Sequence, residues 1–95
     1  MRKGVMGMED LQIISLLFQR SETAIPMLQQ KFGGLCRIVI SNILPDRRDV
    51  EECASDTYLR VWNSIPPQRP ARLDSYLARI ARNVALDRYD YNMAC

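Results

Sequence analysis

Apolar residues along this chain recur at helical spacing, and no stretch alternates with period two for long. Leu11, Ile14, Leu17 and Phe18 stand at i, i+3, i+6 and i+7, which predicts a short amphipathic helix from about Glu9 to Arg20. Ser21 then offers a cap for a second helix, whose apolar face is Ile25, Leu28, Phe32, Leu35, Cys36, Val39 and Ile43. Pro26 falls near its first turn, where a missing amide is tolerated, and Pro45 ends it. Gly33 and Gly34 inside this helix each cost about 1 kcal/mol against alanine, so a close approach of another helix is expected there.

The third segment carries the cleanest pattern. Asp46 or Asp49 starts it, and Val50, Cys53, Ala54, Thr57, Tyr58, Val61 and Ile65 form the buried stripe, with Trp62 at its margin. Pro66 and Pro67 stop it. The run PPQRPAR, Pro66 to Arg72, can be neither helix nor inner strand, because each proline removes a donor and fixes φ. Leu73 begins a fourth helix, with Tyr76, Leu77, Ile80, Ala81, Val84 and Arg88 along one side, reaching about Asp90 or beyond. The predicted fold is an all-α compact bundle of three main helices and a short N-terminal one, a single domain over residues 1–95.

Two outward stripes are left over. On the third helix Glu52, Asp56, Leu59 and Asn63 line up at i, i+4, i+7 and i+11, flanked by Asp49, Ser55 and Arg60. An acidic stripe containing a leucine suits a basic partner helix, though from periodicity alone a solvated face with an Asp56–Arg60 pair is the plainer reading. On the fourth helix Arg72, Tyr76, Arg79 and Asn83 share the same spacing, with Arg82 beside them and Arg69 in the proline loop. Guanidinium forks bind phosphate, a phenol ring stacks on an unpaired base and an amide can pair with a base edge. An arginine-rich surface with Tyr76 half in the core is the plain alternative.

Charge sharpens this division. The net charge is +2, but residues 1–44 carry +2, residues 45–65 carry −2 and residues 66–95 carry +2. Composition removes much chemistry. There is no histidine, and Cys36, Cys53 and Cys95 form no close pair, so a metal centre is not expected. The acids Asp46, Asp49, Glu51 and Glu52 read as charges at a helix N-terminus, not as a catalytic cluster. No nucleophile with a base and no glycine-rich phosphate loop is present, so no enzyme and no cofactor is expected. The start, MRKGVMGMEDLQ, meets Glu9 and Asp10 before any apolar run, unlike a secretory signal, and an odd thiol count then suggests a reduced, cytoplasmic protein without a membrane span.

The run DVEECASDTYLRVW resembles the DAEDLVQETFLRLW signature of region 2 in bacterial RNA polymerase sigma factors of the extracytoplasmic-function group. Downstream, LDSYLARIARNVALDRY resembles that family's FRAWLYRIARNLAIDRLR, and ETAIPMLQQKFGGLCRIVISNIL resembles its second helix. The resemblance spans about Leu11 to Tyr91. It implies that Asp49, Glu52, Ser55, Asp56, Leu59 and Arg60 face the clamp helices of the polymerase β′ subunit. It implies that Arg69, Arg72, Tyr76, Arg79, Arg82 and Asn83 face the −10 promoter element as melted non-template strand. An anti-sigma factor is a further candidate partner, and the one that a helical interaction module or decoy would serve. Ser55 stands where the family's glutamine is usual and Tyr76 where tryptophan is, while Tyr89, Asp90, Tyr91 and Asn92 dilute the basic tail of the motif. The family's C-terminal domain that reads the −35 element is not in this sequence. Two further readings stay open: a helical protein-interaction module that never binds DNA, and a plain duplex-DNA binder of helix-turn-helix type.

Overall fold

The computed structural model describes residues 6–94; the basic residues Arg2 and Lys3 and the thiol of Cys95 lie outside them. The described residues form four helices and no strand: α1 (Met8–Phe18), α2 (Ala24–Ser41), α3 (Arg47–Ser64) and α4 (Leu73–Ala94). α2 packs against all three others and α3 lies along α4, so the core sits where α2, α3 and α4 meet. None of the helices is long and apolar enough to cross a membrane.

α3 follows its pattern residue by residue. Asp46 is the N-cap, its carboxylate accepting the Arg48 N–H at 2.8 Å, and Asp49 adds charge to the first turn. Val50, Cys53, Ala54, Thr57, Tyr58 and Val61 are buried, with Ile65 just beyond, and Trp62 is half-buried. The Thr57 hydroxyl is satisfied inside the core by donating to the Cys53 carbonyl at 2.8 Å. α4 buries Leu73, Leu77, Ala81, Val84 and Ala85, so its N-terminal half is the better anchored.

The first two helices depart from expectation. α1 ends at Phe18, not Arg20, and Ser21 caps nothing. A Schellman turn closes α1 instead, with Arg20 N–H bonded to the Leu17 carbonyl at 3.0 Å and Ser21 N–H to the Leu16 carbonyl at 2.9 Å. Leu11 is 49% exposed and Ile13 takes its place inside, because α1 touches the bundle through its Ile13, Ile14 and Leu17 side. In α2 the fully buried line is Leu28, Phe32, Cys36 and Ile40, while Ile25, Leu35, Val39 and Ile43 are half-buried at its flanks. A helix touched from three sides buries a wider arc than one stripe, which is why Ile40 escapes a single-face reading.

Gly33 carries the close approach expected of the glycine pair. A Cβ there would stand 3.4 Å from the Tyr58 hydroxyl and 3.3 Å from the Arg37 guanidinium. Gly34 is exposed with nothing near it, and no contact explains it. The 65–72 connection between α3 and α4 runs between two fully buried residues, Ile65 and Leu73, so its ends are fixed while its middle faces out.

Candidate functional site

Of the acidic stripe on α3, Glu52, Ser55, Asp56, Leu59, Arg60 and Asn63 are exposed, and Leu59 is 56% exposed. Asp49 is different. Arg88 of α4 donates from Nη1 to Asp49 Oδ1 at 2.7 Å and to Glu52 Oε1 at 2.9 Å, and Asn92 donates to Asp49 Oδ2 at 3.0 Å. Both oxygens of Asp49 are thereby taken, and the group ties α3 to α4 instead of standing free. The Glu52 hydrogen bond, foremost, holds the Arg88 guanidinium more firmly protonated than usual. An arginine on the core-facing side of a helix, as Arg88 is, was the sequence signal for this network.

Arg60 does not pair with Asp56 across one helical turn. It reaches Asp87 of α4 at 3.7 Å, and Asp56 makes no ion pair among the described residues. Asp56 is therefore the free carboxylate of the stripe. Beside it Ser55 and Leu59 line an open groove of about 500 Å³ whose other wall is Glu22, Ile25, Pro26 and Gln29. Tyr58 and Trp62 complete the lining. That wall, built from Glu22 and the start of α2, was invisible to periodicity, which reports each helix's faces but not where two helices splay.

The basic face is built around the connection and the start of α4. Arg72, Tyr76 and Arg79 line a shallow depression of about 370 Å³ together with Gln68, Pro70, Ala71 and Ser75. It shares no residue with the groove at Leu59. Tyr76 is half-buried, its ring packed on the core and its hydroxyl 2.6 Å from Ser64 Oγ at the end of α3. That short bond fixes the ring's direction, and nothing in the sequence pattern had singled out Ser64. Arg79, Arg82 and Asn83 are exposed and make no ion pair or side-chain hydrogen bond among the described residues. Arg82 and Asn83 lie farther along the helix, outside the depression.

The other two arginines are partly engaged. Arg72 forks onto Asp74, Nε at 3.3 Å and Nη2 at 2.8 Å. That fork, before any other influence, pulls the Asp74 carboxyl below its ordinary range. Arg69 lays its guanidinium over the Phe18 ring, 4.2 Å from the centroid. A stacked guanidinium keeps its edge donors for phosphate. The depression is open, with a ring on its floor and cations at its rim. It suits a planar base and a phosphate, and it lacks the enclosed geometry of a small-molecule site. Among the described residues no group of His, Cys, Asp and Glu side chains is arranged to hold a metal ion.

The family described as Sigma-70 region 2 matches residues 28–93, from within α2 to the last turn of α4. No curated protein and no solved structure matches the chain.

Proposed function

Because this chain belongs to the Sigma-70 region 2 family, whose domains bind RNA polymerase and act in promoter melting, we propose that it is of the extracytoplasmic-function type and divides those tasks between its two outer faces. α3 docks on the clamp helices of the polymerase β′ subunit through Ser55, Asp56, Leu59 and Arg60, with Glu52 and Asp49 adding charge beside them. The connection and α4 receive the −10 element through Arg69, Arg72, Tyr76, Arg79, Arg82 and Asn83. The observation that carries this reading is the separation of unpaired charge. Asp56 stands free beside an apolar groove, and Arg79 and Arg82 stand free on α4 beside a depression that shares no residue with that groove.

The physical work of each face follows from its make-up. Carboxylates on α3 steer a basic helix and set its register, while the groove at Leu59 accepts an apolar side chain from it. On the other face, taking a base out of the stack costs a few kcal/mol, and stacking on Tyr76 returns about 1–3 kcal/mol of that. Phosphate contacts by Arg79 and Arg82 add a salt-dependent contribution. Alone the domain binds DNA weakly; seated on polymerase it is held at high effective concentration beside the strand.

The test is capture by the clamp-helix fragment of β′, comparing wild type with Asp56→Arg. Reversing the one free carboxylate is expected to weaken capture by about tenfold. Undiminished capture would show that polymerase docks elsewhere.

A further inference from the structure

The corner between α1 and α2 holds a side chain that its backbone disfavours. In a Schellman turn the left-handed position belongs by default to glycine. Here Arg20 occupies it at φ 57°, and among the described residues no other residue except glycine has a positive φ. A large residue kept at a strained position points to work done by its side chain.

That side chain crosses to the end of α3. Arg20 Nη1 donates to the Trp62 carbonyl at 2.9 Å and to the Ile65 carbonyl at 2.8 Å, and the guanidinium lies 3.7 Å over the Trp62 ring. The last carbonyls of a helix lack intrahelical partners and form the negative end of its dipole, so a cation there is a cap. The cap comes from a different helix corner, and it sits on Ile65, the residue that opens the connection to α4. Two residues before Arg20, Phe18 lies under the Arg69 guanidinium in the middle of that same connection. The segment is thus held at its start by Arg20 and at its centre by Phe18. Both lie outside the residues matched by the family, and neither lines the depression at Tyr76.

We infer that Arg20 and Phe18 are positioning residues that hold the 65–72 connection in the shape that presents Arg69 and the Tyr76 depression to a single strand. This rests on the DNA role proposed above for that segment. A connection already fixed in its bound shape loses less entropy when a base enters. Without Arg20 the Trp62 and Ile65 carbonyls turn to water and the start of the connection loosens. Without the Phe18 ring the Arg69 fork has no plane to lie on and many more rotamers to lose.

The experiment uses polymerase core carrying the full chain. It is offered a pool of short random single-stranded oligonucleotides; the best-retained sequence becomes the probe and its scrambled order the control. Arg20→Gly relieves the left-handed strain while removing the side chain, so the fold and core capture are expected to persist. Probe affinity is expected to fall about five- to tenfold, with the preference over the scramble shrinking by a similar factor. Arg20→Lys, which keeps a cation at the carbonyls, recovers part of both. Trp62 is the single tryptophan of the chain, and its emission shifts in Arg20→Gly. Phe18→Leu lowers probe affinity in the same direction without that shift. A merely structural loss would reduce core capture as well and would not be recovered by lysine. If Arg20→Gly and Phe18→Leu both keep affinity and preference while Arg79→Ala loses them, the positioning role is wrong and the DNA face stands. If Arg79→Ala also binds like wild type, or no oligonucleotide is preferred over its scramble, the DNA face itself is wrong and the positioning role falls with it.

Discussion

Replacing Arg88 by methionine separates what the acidic face contributes to folding from what it contributes to docking. The substitution keeps the apolar stem that packs between α3 and α4 and deletes the guanidinium. Two bonds are lost, at 2.7 Å to Asp49 and 2.9 Å to Glu52. Their exposures decide their worth: the side chains of Arg88 and Asp49 are 25% and 19% exposed, and that of Glu52 is 53% exposed. A charge-assisted bond contributes about 1.5–3 kcal/mol when shielded and an exposed pair about 0–1 kcal/mol. The Asp49 bond lies between those limits and the Glu52 bond near the lower one, for a loss of about 1–2 kcal/mol in all. In a domain of this size that lowers the melting temperature by about 5–15 °C, readable by circular dichroism. A double-mutant cycle with Asp49→Asn is expected to return a coupling of about 1 kcal/mol. Capture by the β′ clamp-helix fragment moves the other way. Losing the cation uncovers Asp49 and Glu52, so the less stable protein binds a basic helix about two- to threefold more tightly at low salt. An unchanged melting temperature would mean the network has no net worth. Weaker capture would refute the idea that Asp49 and Glu52 belong to the docking charge, and would confine the contact to Asp56 and the groove.

Tyr76→Phe and Tyr76→Ala divide the phenol from the ring. Phenylalanine loses the bond to Ser64 Oγ and is expected to cost about 1 kcal/mol of stability with single-strand affinity within about twofold of wild type, whereas alanine removes the stacking surface and weakens affinity by about five- to a hundredfold; equal affinities for the two variants in a fluorescence titration would exclude base stacking on Tyr76. Burial pushes the Cys36 thiol up to about 11 from 9.0, with the nearby Arg37 opposing it only in part. The folded chain therefore keeps a proton that the unfolded chain gives up. Stability is unaffected below the unfolded value and falls as pH rises through the window between 9.0 and about 11, by about 2–3 kcal/mol at its end. Urea melts at mildly and strongly alkaline pH check this; the same alkaline loss in Cys36→Ala would assign it to other groups, since burial raises the Cys53 thiol and the Tyr58 hydroxyl too.

Legibility followed how simply each helix is buried and ended. α3 read almost without error because it packs its buried side against α2 and α4 and leaves the opposite side to solvent, the one arrangement a single stripe describes. α1 and α2 read less well. The short α1 ends on a Schellman turn made by backbone bonds of Arg20 and Ser21, and neither residue is a glycine that would announce it. The outward exposure of the two proposed faces was legible in the sequence, and the pairing of their charges was not. All the proposed polymerase and DNA residues except Asp49 and Tyr76 are exposed, yet only the fold separates the free groups Asp56, Arg79 and Arg82 from the engaged ones, Asp49, Arg69 and Arg72.

Helical period, proline stops and the order of acidic and basic segments are local properties, so the amino-acid order alone determined an all-helical bundle with a stiff connection before α4 and two chemically distinct surfaces. Contacts between residues far apart in the chain obey no such period. The grip of Arg20 on the end of α3, the Arg88 tie between α3 and α4, the Ser64 bond that aims Tyr76 and the groove shared by Leu59 with α2 were decided only when the helices came together. Each depends on a distance in space, and a side chain's partner across tens of residues is set by how whole helices pack.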